Sequence, residues 1–199
     1  LGNPDALAKE ADSLRKYKDY YYGYRGLPKE DFNLIKEELR NEEKYSLQNA
    51  AKFYALNRSS FSGATLSGGW SKRASYERFT DSSITRVREF SQPKLYVAAQ
   101  HFKHSIPAHP KTFLYLDPPY LLGKDRENLY GDAGSKHKGF DHAGLVNILR
   151  ERDNWILSYN NCPEILKLYE GYDIIYPDWK YGMSSNKDSK EVLIINKKG

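Results

Sequence analysis

The feature that most constrains this chain is a series of short apolar or β-branched runs in its second half: Leu95–Ala98, Thr112–Leu116, Trp155–Ser158, Tyr172–Tyr176 and Glu191–Ile195. Segments with helical patterning, Asp141–Arg150 and Pro163–Glu170, fall between several of them. Strands alternating with helices predict an α/β sheet, mostly parallel, with helices over its faces. The front of the chain reads differently. Residues 1–60 are patterned as helix, and Ser46 is placed to cap a helix in which Leu47, Ala50, Ala51 and Tyr54 recur at helical spacing as far as Asn57. The tyrosine-rich stretch between Tyr20 and Pro28 predicts a loop, and Ser59–Thr80, broken up by Gly, Ser and charges, predicts a loop or hairpin. The expected organisation is a helical, loop-rich region over 1–90 and an α/β portion over 91–199.

Composition narrows the class. Hydrophobic residues make up 39% and charged residues 29% of the 199, which excludes a disordered tail. The longest apolar runs, such as Val192–Ile195, are strand-sized and far short of a bilayer span, so no membrane partner is expected. No apolar stretch follows the first residues as a secretory signal would. The single cysteine, Cys162, cannot form an internal disulfide and fits a reducing compartment, so the expected location is cytoplasmic. The only methionine is Met183, from which we expect that Leu1 is not a translational start, and that either a longer product was cleaved or the natural chain has an upstream part. The net charge of +5 is unevenly placed: residues 1–60 carry 11 basic and 10 acidic side chains, 61–110 carry 7 and 3, and 111–199 carry 13 and 13. A basic middle between neutral ends is the footprint of a polyanion partner.

The tetrapeptide Asp117-Pro118-Pro119-Tyr120 directly follows the expected strand Thr112–Leu116. Ligand chemistry in open α/β sheets occurs just beyond the carboxyl ends of strands. Two prolines stiffen the turn and remove two backbone donors, so it offers carbonyls only. An acid, two carbonyl acceptors and an aromatic face suit a flat group bearing an amino function. The plain alternative is an acidic residue followed by a proline turn.

These residues resemble the Dam-type adenine-specific DNA methyltransferases, whose catalytic motif is DPPY. The resemblance continues from LYLDPPY through the helix start at Phe140-Asp141-His142, then ILSYNNCPEILKLYEGY and KEVLIIN, in the family's order. Upstream, ALNRSSFSGATLSGGWSKR is similar to the family's Asn-Arg…Phe-x-Gly target-recognition segment, so the match spans most of 46–196. The chain departs from the family in one respect: neither the Phe-x-Gly-x-Gly cofactor loop nor the Lys-containing N-terminal motif is present.

The resemblance implies a Rossmann-like methyltransferase sheet in the C-terminal part, preceded by a DNA target-recognition region. It implies transfer of a methyl group from S-adenosyl-L-methionine to the exocyclic amino group of adenine in double-stranded DNA, with the base flipped from the duplex. The catalytic residues would be Asp117, Pro118, Pro119 and Tyr120. Asp117 and the Pro118 carbonyl would accept from the amino group, and Tyr120 would stack on the base. Asp117, Ser158 and Tyr159 would border the cofactor, and no metal is required. An upstream segment or a second chain is expected to carry the cofactor-binding loop. Two other readings remain open on the residues: a non-catalytic nucleic-acid-binding remnant, and an RNA adenine methyltransferase.

Arg58, Lys72, Arg73 and Arg78 are the DNA-contact candidates because they flank a Gly-rich loop in the basic middle, and Phe61 is placed to stack or wedge. A solvated basic surface is their ordinary alternative, and for Phe61, Trp70 and Tyr76 it is packing of the loop. Ser158-Tyr159-Asn160 either lines a pocket or forms a polar turn before the Pro163 helix. Asp141-His142 reads as a helix cap, and His101, His104 and His109 lack the acidic or Cys partners of a zinc site. Gly68–Lys72 lacks the order of a phosphate loop.

Overall fold

Asn3 and Pro4 start the first helix: the Asn3 side chain accepts from the backbone N–H of Asp5 and Ala6 at 3.0 and 3.2 Å, and Pro4 sits where a helix needs no donor. The computed structural model describes residues 3–17, 25–41, 45–121, 139–178 and 191–196. These form two units, one running to Val97 and one beginning at Ala98.

The first unit holds α1 (Pro4–Ser13), α2 (Lys29–Asn41), α3 (Leu47–Ser59), α4 (Lys72–Glu77) and α5 (Asp81–Arg88), with a two-residue ribbon of β1 (Lys16–Tyr17) and β2 (Arg25–Gly26). Ser46 caps α3 by accepting from Asn49 N at 3.0 Å, as its sequence position predicts. Small residues let the helices approach: Ala8 and Ala11 of α1 and Ala51 and Ala55 of α3 are fully buried with Leu56, Phe32 and Phe79. Truncating either phenylalanine to Ala would cost about 3–5 kcal/mol. Residues 20–24 of the tyrosine-rich stretch lie outside the described residues, and Arg25–Gly26, expected as loop, pairs with Lys16–Tyr17 as β2.

Arg15, just past α1, is the buried cation of this unit. Its Nη1 reaches Asp12 at 2.8 Å and Asp81 at 2.5 Å, and its guanidinium lies 5.7 Å from the centre of the Phe79 ring. Asp12 also accepts from Arg25, so one cluster ties α1, β2 and the start of α5 together.

The second unit holds α6 (Phe102–Ala108), β3 (Leu114–Leu116), α7 (His142–Arg150), β4 (Trp155–Asn160), α8 (Pro163–Leu168), β5 (Asp173–Ile175) and β6 (Glu191–Asn196). The sheet order is β3-β4-β6-β5. β3 pairs parallel with β4, joined through α7, while β6 runs antiparallel to both β4 and β5. The sheet is therefore mixed, and the mostly parallel expectation is corrected by β6, whose direction no residue pattern encodes.

Strand alternation sorts the side chains. Trp155, Leu157, Tyr159, Val192 and Ile194 face one side and pack against Ile106 of α6, Leu145, Val146 and Leu149 of α7, and Ile165 of α8. The other side carries Tyr115, Ile156, Ser158, Asn160, Glu191, Leu193 and Ile175, with Tyr115 62% exposed. Arg152 closes the layer by donating to the carbonyls of Ile106, His109 and Thr112.

Two further expectations are corrected. Leu95–Ala98 forms no strand: Leu95, Tyr96 and Val97 are exposed, and without a paired neighbour their β-propensity has nothing to pack against. Lys72–Glu77, expected within a loop, is the helix α4, because Ser71 caps it by accepting from Ala74 N at 3.2 Å.

The Asp81 carboxyl is held below the usual range first by its hydrogen bond from Arg15. A value lowered on folding means that the pair stabilises above the ordinary carboxylate range, and that this contribution is lost as pH falls through Asp81's lowered value. Arg15→Met should lower the unfolding free energy in urea by about 1–3 kcal/mol at neutral pH. The deficit should narrow as the pH falls below the ordinary aspartate range.

Candidate active site and basic face

β3 ends at Leu116, and the turn Asp117-Pro118-Pro119-Tyr120 begins at its carboxyl end, beside the parallel neighbour β4. Asp117 is exposed, while both prolines and Tyr120 are half-buried. The Tyr120 hydroxyl donates to Glu191 Oε1 at 2.9 Å and lies 3.2 Å from Ser158 Oγ. Asn160 Nδ2 donates to the Leu121 carbonyl at 2.8 Å, fixing the exit of the turn. Burial above all, and then Glu191 and Asp117, push the pKa of the Tyr120 phenol well above the usual tyrosine value and so make it a weaker acid, while the Ser158 hydrogen bond acts against them. Asn160 Oδ1 is buried with no hydrogen-bond partner among the described residues.

Of the two residues expected beside Asp117, Ser158 is buried under the Tyr120 hydroxyl. Tyr159 points to the opposite face and is fully buried in the core, its hydroxyl bonded to His142 Nδ1. Its ring lies 6.0 Å from that of Tyr120, so it backs the turn from beneath. Asp141 caps α7 through Gly144 N at 2.8 Å and pairs with Lys103 at 2.6 Å. A Cβ on Gly144 would stand 2.2 Å from the Asp141 carboxylate, so any other residue there would oblige that side chain to shift. Glu191 was not among the residues singled out from sequence, because the register that sets it opposite Asn160 depends on antiparallel pairing of distant segments.

In the first unit, the Gly-rich loop is closed by an antiparallel bridge between Ser60 and Trp70, with Phe61 N bonding Gly69 O and Ser71 N bonding Ser59 O. Two 3-10 turns, Phe61–Gly63 and Thr65–Ser67, fill it. Arg58 donates through Nε and Nη2 to the Arg78 carbonyl, and Arg78 donates to the Ser60 carbonyl. Two cations not singled out from sequence also hold the loop: Lys36 binds Gly68 O at 2.7 Å and Arg40 binds Leu66 O at 3.3 Å. Their spacing of four along α2 is the signal that was available. Trp70 packs the loop, donating to Leu27 O at 2.8 Å. Lys72, Arg73 and Phe61 are exposed, and Arg73 pairs with Glu77 at 2.7 Å. An open groove of about 1010 Å³ between α1, α3 and α5 reaches only Arg58 of these residues, and Leu7, Leu47, Val87 and Phe90 make it apolar.

Residues 2–183 match the model of the D12 class N6 adenine-specific DNA methyltransferase family. The chain belongs to that family. Comparison with curated proteins gives no match. Membership indicates an adenine-specific DNA methyltransferase with DNA as its substrate. Among the described residues of this D12 chain, no helix is long and apolar enough to cross a membrane.

Methyltransferases of this kind normally use S-adenosylmethionine. The groups gathered at the turn, an exposed carboxylate, a turn with two N–H groups removed by proline and an orphaned amide oxygen, are acceptors. Such a set fits the cationic, amino-bearing side of that molecule, and equally an adenine amino group.

The D12 chain thus divides its basic middle into scaffold and surface. Arg78→Ala should cost about 1–2 kcal/mol and make the 61–69 loop more protease-sensitive, since the Ser60 carbonyl loses a charged donor. Lys72→Ala should stay within about 0.5 kcal/mol of wild type. Urea denaturation with limited proteolysis measures both.

Proposed function

We propose that this chain carries the target-recognition and catalytic portions of an S-adenosylmethionine-dependent enzyme that methylates N6 of adenine in double-stranded DNA. In this reading residues 1–90 recognise the target and residues 91–199 form the carboxyl half of a Rossmann-like methyltransferase sheet. The observation that carries it is the acceptor-rich turn at the end of β3, presented on a chain that belongs to an adenine methyltransferase family.

An adenine amino group is a poor nucleophile because its lone pair is delocalised into the ring. The Asp117 carboxylate and the Pro118 carbonyl accept its two N–H groups, drawing the nitrogen towards tetrahedral geometry and localising the pair. The half-buried Tyr120 ring stacks on the base, which has to leave the duplex to reach the turn. When bound, S-adenosylmethionine supplies a methyl group already activated on a sulfonium. Asp117 takes the proton that the methylated nitrogen sheds and passes it to solvent. The protein's contribution is alignment and electrostatics. Asp117 and Ser158 are the side chains that would border the cofactor, with the buried Tyr159 ring supporting Tyr120 from the core.

Lys72 and Arg73, exposed beside the loop, meet DNA phosphates, and exposed Phe61 meets a base step. Arg58 and Arg78 act on DNA through the loop whose carbonyls they hold.

Transfer of labelled methyl to duplex DNA, followed by nucleoside analysis, tests the reading. Label on N6 of adenine is expected, and absence of transfer, or label elsewhere, would refute it. Asp117→Ala should reduce transfer by at least about a thousandfold while DNA affinity changes by less than about threefold. Arg73→Ala should flatten the dependence of log affinity on log salt by about one unit. An unchanged slope would remove Arg73 from the interface.

A further inference from the structure

We propose that Glu191 is a positioning residue of the methyl-transfer site: its carboxylate accepts the Tyr120 hydroxyl and so holds the stacking ring, and the turn that carries it, at a fixed height above the sheet. The inference rests on the reading of Asp117–Tyr120 as the adenine pocket.

The prolines limit how the turn can be attached. Pro118 and Pro119 cannot donate a backbone hydrogen bond, so the turn is anchored by side chains and by carbonyls. One anchor is the Leu121 carbonyl, bound by Asn160 Nδ2 at 2.8 Å. A second, among the described residues, is the Tyr120 hydroxyl, which reaches across β4 to Glu191 Oε1 at 2.9 Å while lying 3.2 Å from the buried Ser158 Oγ. Tyr120 therefore spans from the end of β3 over β4 to the first residue of β6, which pairs with Asn160.

A charged acceptor suits this position. Hydrogen bonds to a carboxylate are roughly twice as strong as those between neutral groups. Burial and the neighbouring carboxylates keep the phenol protonated, so it remains a donor. Glu191 is half-buried, and its Oε1 is engaged by the phenol. It acts on the substrate through Tyr120 and is no catalytic base.

The test uses the full chain with duplex DNA and S-adenosylmethionine. Glu191→Ala should lower kcat by about 10- to 100-fold, the cost of a slightly misplaced reacting group, with KM for DNA within about threefold. Glu191→Gln, whose amide oxygen accepts the same bond, should recover kcat to within about threefold of wild type. The double variant Tyr120→Phe/Glu191→Ala should be no worse than the poorer single variant, because both remove one interaction. Wild-type kcat in Glu191→Ala, a glutamine variant as poor as alanine, or multiplying effects in the double variant would each overturn the proposal.

Hydrogen exchange over 114–121, without DNA or cofactor, gives a readout independent of catalysis. It should accelerate in Glu191→Ala and in Tyr120→Phe, and match wild type in Glu191→Gln. If Glu191→Ala does not fold, Tyr120→Phe decides, since it deletes a single oxygen. Unchanged exchange in the folded variants overturns the anchoring role. Wild-type protein that transfers no methyl to DNA would instead refute the adenine-pocket reading and leave the exchange result to judge the anchor.

Discussion

The register of β4 between β3 and β6 is the constraint on which the site depends. Pairing Leu116 with Leu157 and Asn160 with Glu191 puts Trp155, Leu157 and Tyr159 into the helix-covered core. The alternate residues Ser158 and Asn160 are thereby left on the face where the turn arrives. A slip of one residue would exchange the two sets, burying an amide under the helices and turning a tryptophan out. The core that stabilises the second unit and the polar row that holds Tyr120 are two sides of one strand, and neither can be altered alone.

The first unit solves a different problem, that of holding an irregular loop. Long cationic side chains meet backbone carbonyls in and beside the loop from Phe61 to Gly69: Lys36 on Gly68, Arg40 on Leu66, Arg78 on Ser60. A guanidinium on a carbonyl keeps its positive charge while it shapes the backbone, so these residues add to the local field even where they make no contact with a partner. Ser75 completes the frame, its Oγ both accepting from Leu27 N and donating to Leu27 O at 2.7 Å. Gly26 sits against the same serine, where a Cβ would come within 2.6 Å of the Ser75 carbonyl.

Much of this was legible from residues alone wherever the signal is local. Ser46 and Asp141 cap the helices their positions announce, four of the five expected strands form, and the Asp-Pro-Pro-Tyr turn stands at a strand end. What escaped depends on partners far away in the chain. Leu95–Ala98 has the composition of a strand and, among the described residues, no strand paired to it, whereas β3, with only three residues, has β4. Lys72–Glu77 has too few residues to show a period, and its cap at Ser71 decides the matter. Charge counts located the basic middle but do not tell Arg58, bound to a carbonyl, from Lys72, exposed at the start of α4. Glu191 looked like a strand's first letter because its meaning lies in Tyr120, 71 positions earlier.

The prolines of the turn have a consequence outside catalysis. β3 stands at the end of the described sheet with Tyr115 turned to solvent, and an edge of that kind is a template for unwanted strand addition. Here the template is three residues long, bracketed by Pro110-Lys111 on one side and Asp117-Pro118-Pro119 on the other. An incoming strand would run out of backbone donors almost as soon as it docked, and would meet a charge at either end. The rigidity that shapes a receptor for an amino group thus also limits how far along β3 any added strand can pair.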